Sequence, residues 1–280
     1  MLLHLDKQFK PIDGQEINFE SFTFNGGEPH IRISDFDTTE DVYITHRIRS
    51  FNDLGLLCIA VDALKRMGVT SIKVLLPYFP AARQDRVMVV GESLTVKVIA
   101  NIINNLGIQT ITIFDPHSDV TPAVLDNCKV ISNLEFVKQV LLQLPKDTIL
   151  ISPDAGASKK IYKLAKDLGI ETVIECRKKR NVITGQLSGF EVPIDDLENK
   201  PCLIVDDICD GGGTFMGIGE ALKKRNAGDL FLAVSHGIFS KGIDNLSNIY
   251  SRIFTTDSFK TIDHSNISQI KLNQLINQSL

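Results

Sequence analysis

The chain has 280 residues, 43% of them hydrophobic and 23% charged, with a formal net charge of −4. That length allows two domains of ordinary size or one large one, and this composition excludes a disordered chain or a fibre. The acidic balance argues against broad electrostatic binding to nucleic acid or to an anionic membrane.

The N-terminal MLLHLDKQFKPIDGQ carries charges at Asp6 and Lys7 and lacks the apolar core of a secretory signal. No apolar run reaches membrane-spanning length, so a cytoplasmic protein is expected. Further along, short apolar runs alternate with amphipathic stretches, the pattern of βα units around a parallel sheet, which makes the fold class α/β. A first series predicts strands at 42–45, 71–76 and 110–114, with helices over 52–67 and 93–106. Pro145 interrupts an apolar run and sets a boundary near 144–147, giving domains of 1–144 and 145–280. A second series predicts strands at 148–152, 171–175, 202–206 and 229–236, with helices over 156–168 and 213–225. Glycines at 68, 107, 169 and 228 follow these helices, as expected for C-terminal caps. The segment from Ile262 reads as a helix packed on one domain. Five widely spaced cysteines without a CxxC pair favour reduced thiols over disulfides or a zinc site.

Leu203 to Phe215, LIVDDICDGGGTF, carries the most chemistry. An apolar strand ends in the carboxylates Asp206 and Asp207, followed by Asp210, Gly211, Gly212, Gly213 and Thr214. Three glycines let the backbone approach an anion and turn N–H groups toward it, while Thr214 adds a hydroxyl donor at the expected start of a helix. Carboxylates cannot hold the anion, so Asp206 and Asp207 suit sugar hydroxyls or a metal. A phosphorylated ribose fits both halves. Cys209 has no activating partner in the sequence and reads as a small loop side chain.

Ligands of parallel sheets bind outside the carboxyl ends of the strands. Asp115 and His117 in FDPHSDV and Asp154 in SPDAG occupy that edge, as does PYFPAARQDR, a proline-stiffened loop presenting Arg83, Gln84, Asp85 and Arg86. Arginine there can contact phosphate oxygens, and the amide can bind a base or ribose. The basic run Arg177 to Arg180 in CRKKRNVITGQL, before a hairpin expected around Thr184 and Gly185, suits closure over negative charge.

These motifs carry a resemblance. VDDICDGGGT resembles the phosphoribosyl diphosphate (PRPP) loop of the type I phosphoribosyltransferase fold, and PYFPAARQDR, FDPHSDV, SPDAG and CRKKR resemble, in order, elements of the PRPP synthetases. The resemblance runs from about Phe24 to about Ser240. It implies two similar phosphoribosyltransferase-like domains and a ribose-phosphate diphosphokinase, a transferase that makes PRPP and AMP from ATP and ribose 5-phosphate with Mg2+. It implies ATP contacts from Arg83, Gln84 and His117, and from Asn25 and Glu28 of FNGGE, where Gly26 stands in the family's usual acidic position. It implies metal binding by His117 and Asp154, and ribose 5-phosphate binding by Asp206, Asp207 and residues 210–214. Lys178 and Arg180 match the family's catalytic Lys-x-Arg pair, with Arg177 and Lys179 as a competing register. A homo-oligomer, dimer or hexamer, is implied, with no nucleic-acid or membrane partner. A phosphoribosyltransferase joining PRPP to a nucleobase shares the 206–214 loop but leaves PYFPAARQDR and FDPHSDV unexplained. A regulatory subunit that binds nucleotide without turnover is the other alternative, which Gly26 allows. No GxxxxGK[ST] sequence occurs, so an ordinary P-loop kinase is not expected.

Overall fold

The computed structural model describes residues 1–180 and 187–276, with the side chains of 178–180 and 187–188 outside that description. Contacts divide the chain into two compact units. The first comprises Met1–Ser132, Ser258–Thr261 and the segment from Lys271; the second comprises Asn133–Asp257 and Ile262–Ile270. The expected boundary at 144/145 falls one helix later than this division.

The first unit begins with β1 (Leu2–His4), β2 (Phe19–Thr23), β3 (Pro29–Ile33) and β4 (Val42–Thr45). It continues through α1 (Phe51–Arg66), β5 (Ile72–Leu76), α2 (Thr95–Asn104), β6 (Thr110–Phe114), α3 (Val120–Val124) and β7 (Cys128–Ile131). β1-β4-β5-β6-β7 form an all-parallel sheet, and β2 and β3 an antiparallel hairpin. Helix α1 forms because Leu54, Leu57, Ala60, Val61 and Leu64 share one buried face. Ser50 caps it, its Oγ accepting the Asp53 N–H and donating to Asp53 Oδ2 at 2.9 Å.

One buried cation organises the start of this unit. Arg47 is 1% exposed; its Nε donates to Asp6 Oδ2 at 2.7 Å, and its guanidinium lies 5.0 Å from the centre of the Phe9 ring. Its Nη1 donates to Thr261 Oγ1 at 3.3 Å, tying the 258–261 segment to the unit, where Phe259 also meets Tyr78 edge-on at 5.4 Å.

The second unit contains α4 (Leu134–Leu141), β8 (Ile149–Ser152), α5 (Ala155–Leu168), β9 (Val173–Glu175), β10 (Arg177–Arg180) and β11 (Leu187–Glu191). Then follow β12 (Cys202–Cys209), α6 (Gly213–Lys223), β13 (Leu230–Gly237), α7 (Asp244–Ser247), β14 (Arg252–Thr256) and β15 (Ile267–Ile270), after which α8 (Asn273–Ile276) joins the first unit. Its sheet, ordered β15-β14-β13-β12-β8-β9, is all parallel, while β10 and β11 pair antiparallel. Thr184 and Gly185 lie outside the described residues.

The structure corrects three local expectations. The segment after Ile262 is chiefly a strand: β15 adds in parallel to β14, Ile253 to Thr256 aligning with Ile267 to Ile270. Among the described residues four of helix follow, because the apolar positions satisfy a sheet edge before the chain returns to the first unit. Strand β12 runs past Asp206 to Cys209, since its pairing with β13 continues to Gly237. Of the four glycines, Gly169 is the left-handed cap of its helix with φ 69°, and Gly68 and Gly107 take φ 96° and 61° just past theirs, so the expectation fails only at Gly228. Gly228 lies beyond the end of α6 in close approach to Asn199 O, where any Cβ would collide with that carbonyl.

Burial alone would raise the Asp6 carboxyl, but the hydrogen bond and charge of Arg47, helped by the Gln8 N–H and Arg49, hold it below its ordinary range. Ionised Asp6 therefore stabilises the fold above the ordinary carboxylate range, and that contribution is lost as pH falls through its lowered value. Arg47→Ala leaves the carboxylate without its main partner and should remove roughly 3–5 kcal/mol, read as a lowered Tm. The Tm difference between wild type and Asp6→Asn should shrink progressively as melts are run at lower pH.

Candidate active site

In the second unit, β12 sits where the sheet order reverses. β8 leads outward to β9 while β12 leads the other way to β13, so the crevice beyond the carboxyl ends of β8 and β12 is the topological switch point. Pairing of β8 with β12 stops at Ile151 and Ile204, and Asp206 follows two residues later. Asp207 is buried, Asp206 half-buried, and the Asp207 N–H donates to Asp206 Oδ1 at 2.9 Å. Burial raises the Asp206 carboxyl well above its ordinary range, and the charge and hydrogen bond of Asp207 and the charge of Asp154 add to the rise. Asp154 caps α5, its Oδ1 accepting the N–H groups of Gly156 and Ala157 at 2.9 and 3.1 Å. The structure thus brings Asp154, Asp206 and Asp207 into one electrostatic neighbourhood.

The loop after β12 has the form that the glycines imply. Gly212 takes φ +76° at the N-cap of α6, and a Cβ there would press on Leu246 at 3.1 to 3.3 Å, so both conformation and space require glycine. Gly213 and Thr214 form the first turn of α6, with helix N–H groups facing the loop. Asp210 is fixed by the 238–240 segment: the Ser240 Oγ–H donates to Asp210 Oδ1 at 2.6 Å, and the Ser240 N–H to Asp210 O at 3.0 Å. Cys209 is fully buried and its thiol is pushed up to about 12, chiefly by burial, which makes it inert as a nucleophile.

In the first unit, a cavity of about 550 Å3 is lined by Arg83, Gln84, Asp85, Arg86, Met88, Glu92, Ser93 and His117. The loop after β5 and the loop after β6 meet there, and the buried carboxylate of Asp85 holds them together. Burial would raise Asp85, but hydrogen bonds from Ser118 and Arg86, with the charges of Arg86 and His117, bring it below its ordinary range. Arg83 and Gln84 stay exposed at the mouth. Ala81 and Asp115 take φ 57° and 38°, so both loops turn through unusual backbone just after their strands. A wall with Arg83, Arg86 and an imidazole suits a polyanion.

Asn25 and Glu28 are elsewhere in this unit, at the tip of the β2–β3 hairpin, and do not line that cavity. The hairpin exposes Phe22 and Phe24, which pack with His30 at 4.9 and 5.6 Å. The Glu28 carboxylate folds over Gly26, where a Cβ would lie 2.5 Å from Oε2. Lys178 and Arg180 belong to β10 by backbone, but their side chains lie outside the described residues.

Met88, Glu92 and Ser93 escaped sequence reasoning. Glu92 accepts the N–H groups of Met88 and Val89 at 2.8 and 3.1 Å, closing the turn. The run Val87 to Val90 resembles a buried strand by hydropathy, yet all four side chains are exposed.

A parallel sheet whose order reverses beside an acidic pair and a glycine loop defines an α/β protein of the phosphoribosyltransferase type. The sequence matches the family model described as the N-terminal domain of ribose phosphate pyrophosphokinase over residues 10–107, and that of the phosphoribosyl transferase domain over 129–268. The chain is 30% identical to the ribose-phosphate pyrophosphokinase of Vibrio cholerae, over 92% of this chain and 83% of that one. It is 32% identical to that of Mycoplasma genitalium over 78% of this chain, spanning 66% of the relative's length. The crystal structure of phosphoribosylpyrophosphate synthetase from Mycobacterium smegmatis, 22% identical, has the same fold: the TM-score is 0.87, covering 100% of this chain and 96% of that one. The chain belongs to the ribose-phosphate pyrophosphokinase family.

Because Asp206 carries repulsion from Asp207 and Asp154, Asp206→Asn should raise Tm at neutral pH while weakening ligand binding. The Tm gain should close as pH falls toward about 4, where the unfolded carboxyl is itself protonated. Thermal melts across pH, paired with ribose 5-phosphate titrations, test both halves.

Proposed function

We propose that the protein is a ribose-phosphate diphosphokinase, converting ATP and ribose 5-phosphate to AMP and 5-phosphoribosyl 1-diphosphate. Family membership supports this reading, and the single observation that carries it is the pairing of the acidic, glycine-turn site at β12 with a separate cationic cavity. A phosphoribosyltransferase would need only the first of these.

In this reading the anomeric hydroxyl oxygen of ribose 5-phosphate attacks the β-phosphorus of ATP. The bond from that phosphorus to the α,β-bridging oxygen breaks, AMP leaves with the bridging oxygen, and the hydroxyl proton passes to solvent. Phosphoryl-type transfer of this kind rests on positioning and charge stabilisation more than on covalent catalysis. Arg83, Gln84 and His117 hold the nucleotide, with Asp85 orienting the loops that carry them. Asn25 and Glu28 are assigned to the same nucleotide. Asp206 and Asp207 hold the ribose hydroxyls, while the backbone of 210–214 and the Thr214 hydroxyl hold the 5-phosphate. Lys178 and Arg180 are assigned to the charge developing on the transferred group.

Mg2+ fits the residues present. Asp154, Asp206 and Asp207 offer hard oxygen donors, and the raised Asp206 carboxyl marks a place where a cation would relieve repulsion. Although no ready-made cluster of metal ligands exists among the described residues, substrate phosphates ordinarily complete such a site. When bound, Mg2+ would supply positive charge to the substrate phosphates; Asp154 and His117 are the residues assigned to it. A homo-oligomer, dimer or hexamer, in the cytoplasm belongs to the same proposal. Among the described residues no helix is long and apolar enough to cross a membrane.

Phosphorus NMR of the full chain with MgATP and ribose 5-phosphate should show AMP together with a pyrophosphoryl-ribose signal. ADP instead of AMP would overturn the mechanism, and consumption of PRPP only with a nucleobase would favour the transferase. Lys178→Ala should lower kcat by a factor on the order of 10² to 10³ with little change in ribose 5-phosphate affinity.

A further inference from the structure

We infer that Lys241 is a further ligand of the sugar 5-phosphate, supplying the positive charge that the glycine loop itself lacks. This rests on the reading of residues 210–214 as the 5-phosphate site. From Cys202 to Leu222 the chain has no lysine or arginine but carries Asp206, Asp207 and Asp210. A phosphate dianion settling on the loop would therefore meet three local carboxylates, opposed from within the segment only by backbone N–H dipoles and one hydroxyl. A cation from elsewhere in the fold would offset those carboxylates and add to the N–H groups.

Lys241 is placed to be that cation. Its aliphatic stem lies along Gly211: a Cβ on that glycine would meet Lys241 Cδ at 3.4 Å, Cε at 3.5 Å and Cγ at 3.7 Å. The ammonium is one bond beyond Cε. The stem is held there by the segment on which it rides. The Ile238 and Phe239 N–H groups donate to Cys209 O at 2.9 and 3.1 Å, and Ser240 binds Asp210 through both backbone and side chain. Phe239 takes φ 47°, and the Gly242 N–H closes the turn onto Phe239 O at 3.1 Å, so Lys241 projects from a stitched turn and not from a loose loop. Lys241 is exposed and, among the described residues, has no carboxylate within 4 Å of its nitrogen, which leaves the ammonium available to an incoming anion. A lysine on a flexible stem acts as a point charge on phosphate, the role it plays at other glycine-rich phosphate loops.

The test compares full-length wild type, Lys241→Met and Lys241→Arg in phosphorus NMR titrations with ribose 5-phosphate. Methionine keeps an unbranched stem of similar length without the charge, and the exposed position makes all three proteins expected to fold. Lys241→Met should weaken ribose 5-phosphate binding on the order of 10- to 100-fold while leaving ATP affinity unchanged, with Lys241→Arg recovering most of the loss. A second readout is the bound phosphate's own titration. Its second ionisation, ordinarily near about pH 6, should occur at lower pH in wild type than in Lys241→Met, because an adjacent ammonium favours the dianion. Equal affinity and equal phosphate titration in wild type and Lys241→Met would overturn the assignment while leaving the loop reading intact. Failure of wild type to bind ribose 5-phosphate at all would overturn both.

Discussion

The parallel pairing of β12 with β13 is the constraint on which the chemistry of the second unit depends. It continues from Cys202 to Cys209, whereas the pairing of β12 with β8 on the other side ends at Ile204. A strand hydrogen-bonded on both sides is rigid but closed; one released on a single side is rigid and open. Asp206 and Asp207 occupy that half-released stretch, held by β13 on one side and beyond the pairing with β8 on the other. The same pairing delivers Gly237 beside Cys209, which brings the 238–242 turn back over the glycine loop.

Placing carboxylates there has an electrostatic cost that the chain retains. Asp206 would be an easier neighbour to Asp207 and Asp154 if it were neutral, and its raised carboxyl records that conflict. Sites that must hold cations or hydroxyl-rich sugars accept such repulsion because the ligand removes it. Asp85 shows the opposite arrangement: buried, but surrounded by Ser118, Arg86 and His117, it is settled without any ligand and serves to hold two loops in place. The two carboxylates illustrate how neighbours alone push like groups in opposite directions.

Much of this was legible from sequence because the informative signals are local. The strands at 42–45 and 110–114 have the boundaries that their apolar runs predict, and DDICDGGGT identifies its loop by residue type and order. Non-local features were not legible. The edge strand Ile267–Ile270 exists because β14 offers an edge, a fact absent from its own Asn- and Gln-rich sequence. Lys241 lies 30 residues from Gly211, and only the register of β12 against β13 makes them neighbours. Val87 to Val90 misleads in the other direction, since hydropathy says buried and Glu92 folds the segment into an exposed turn. Nor does FNGGE in sequence reveal that its hairpin stands apart from the cavity holding Arg83.

The discontinuity of the first unit has a bearing on how the chain is made. During synthesis Arg47 emerges early, with Asp6 and Phe9 already at hand, but Thr261 arrives only after residues 133–257 of the second unit have been translated. Leu272 and Ile276, both fully buried, come later still. The N-terminal unit must therefore wait, partly uncovered, for its last pieces, and closing contacts so distant in sequence is the slow kind of folding event. Its maturation is thereby coupled to completion of the second unit, and a ribosome-bound fragment ending before residue 258 would carry its sheet without its finished surface.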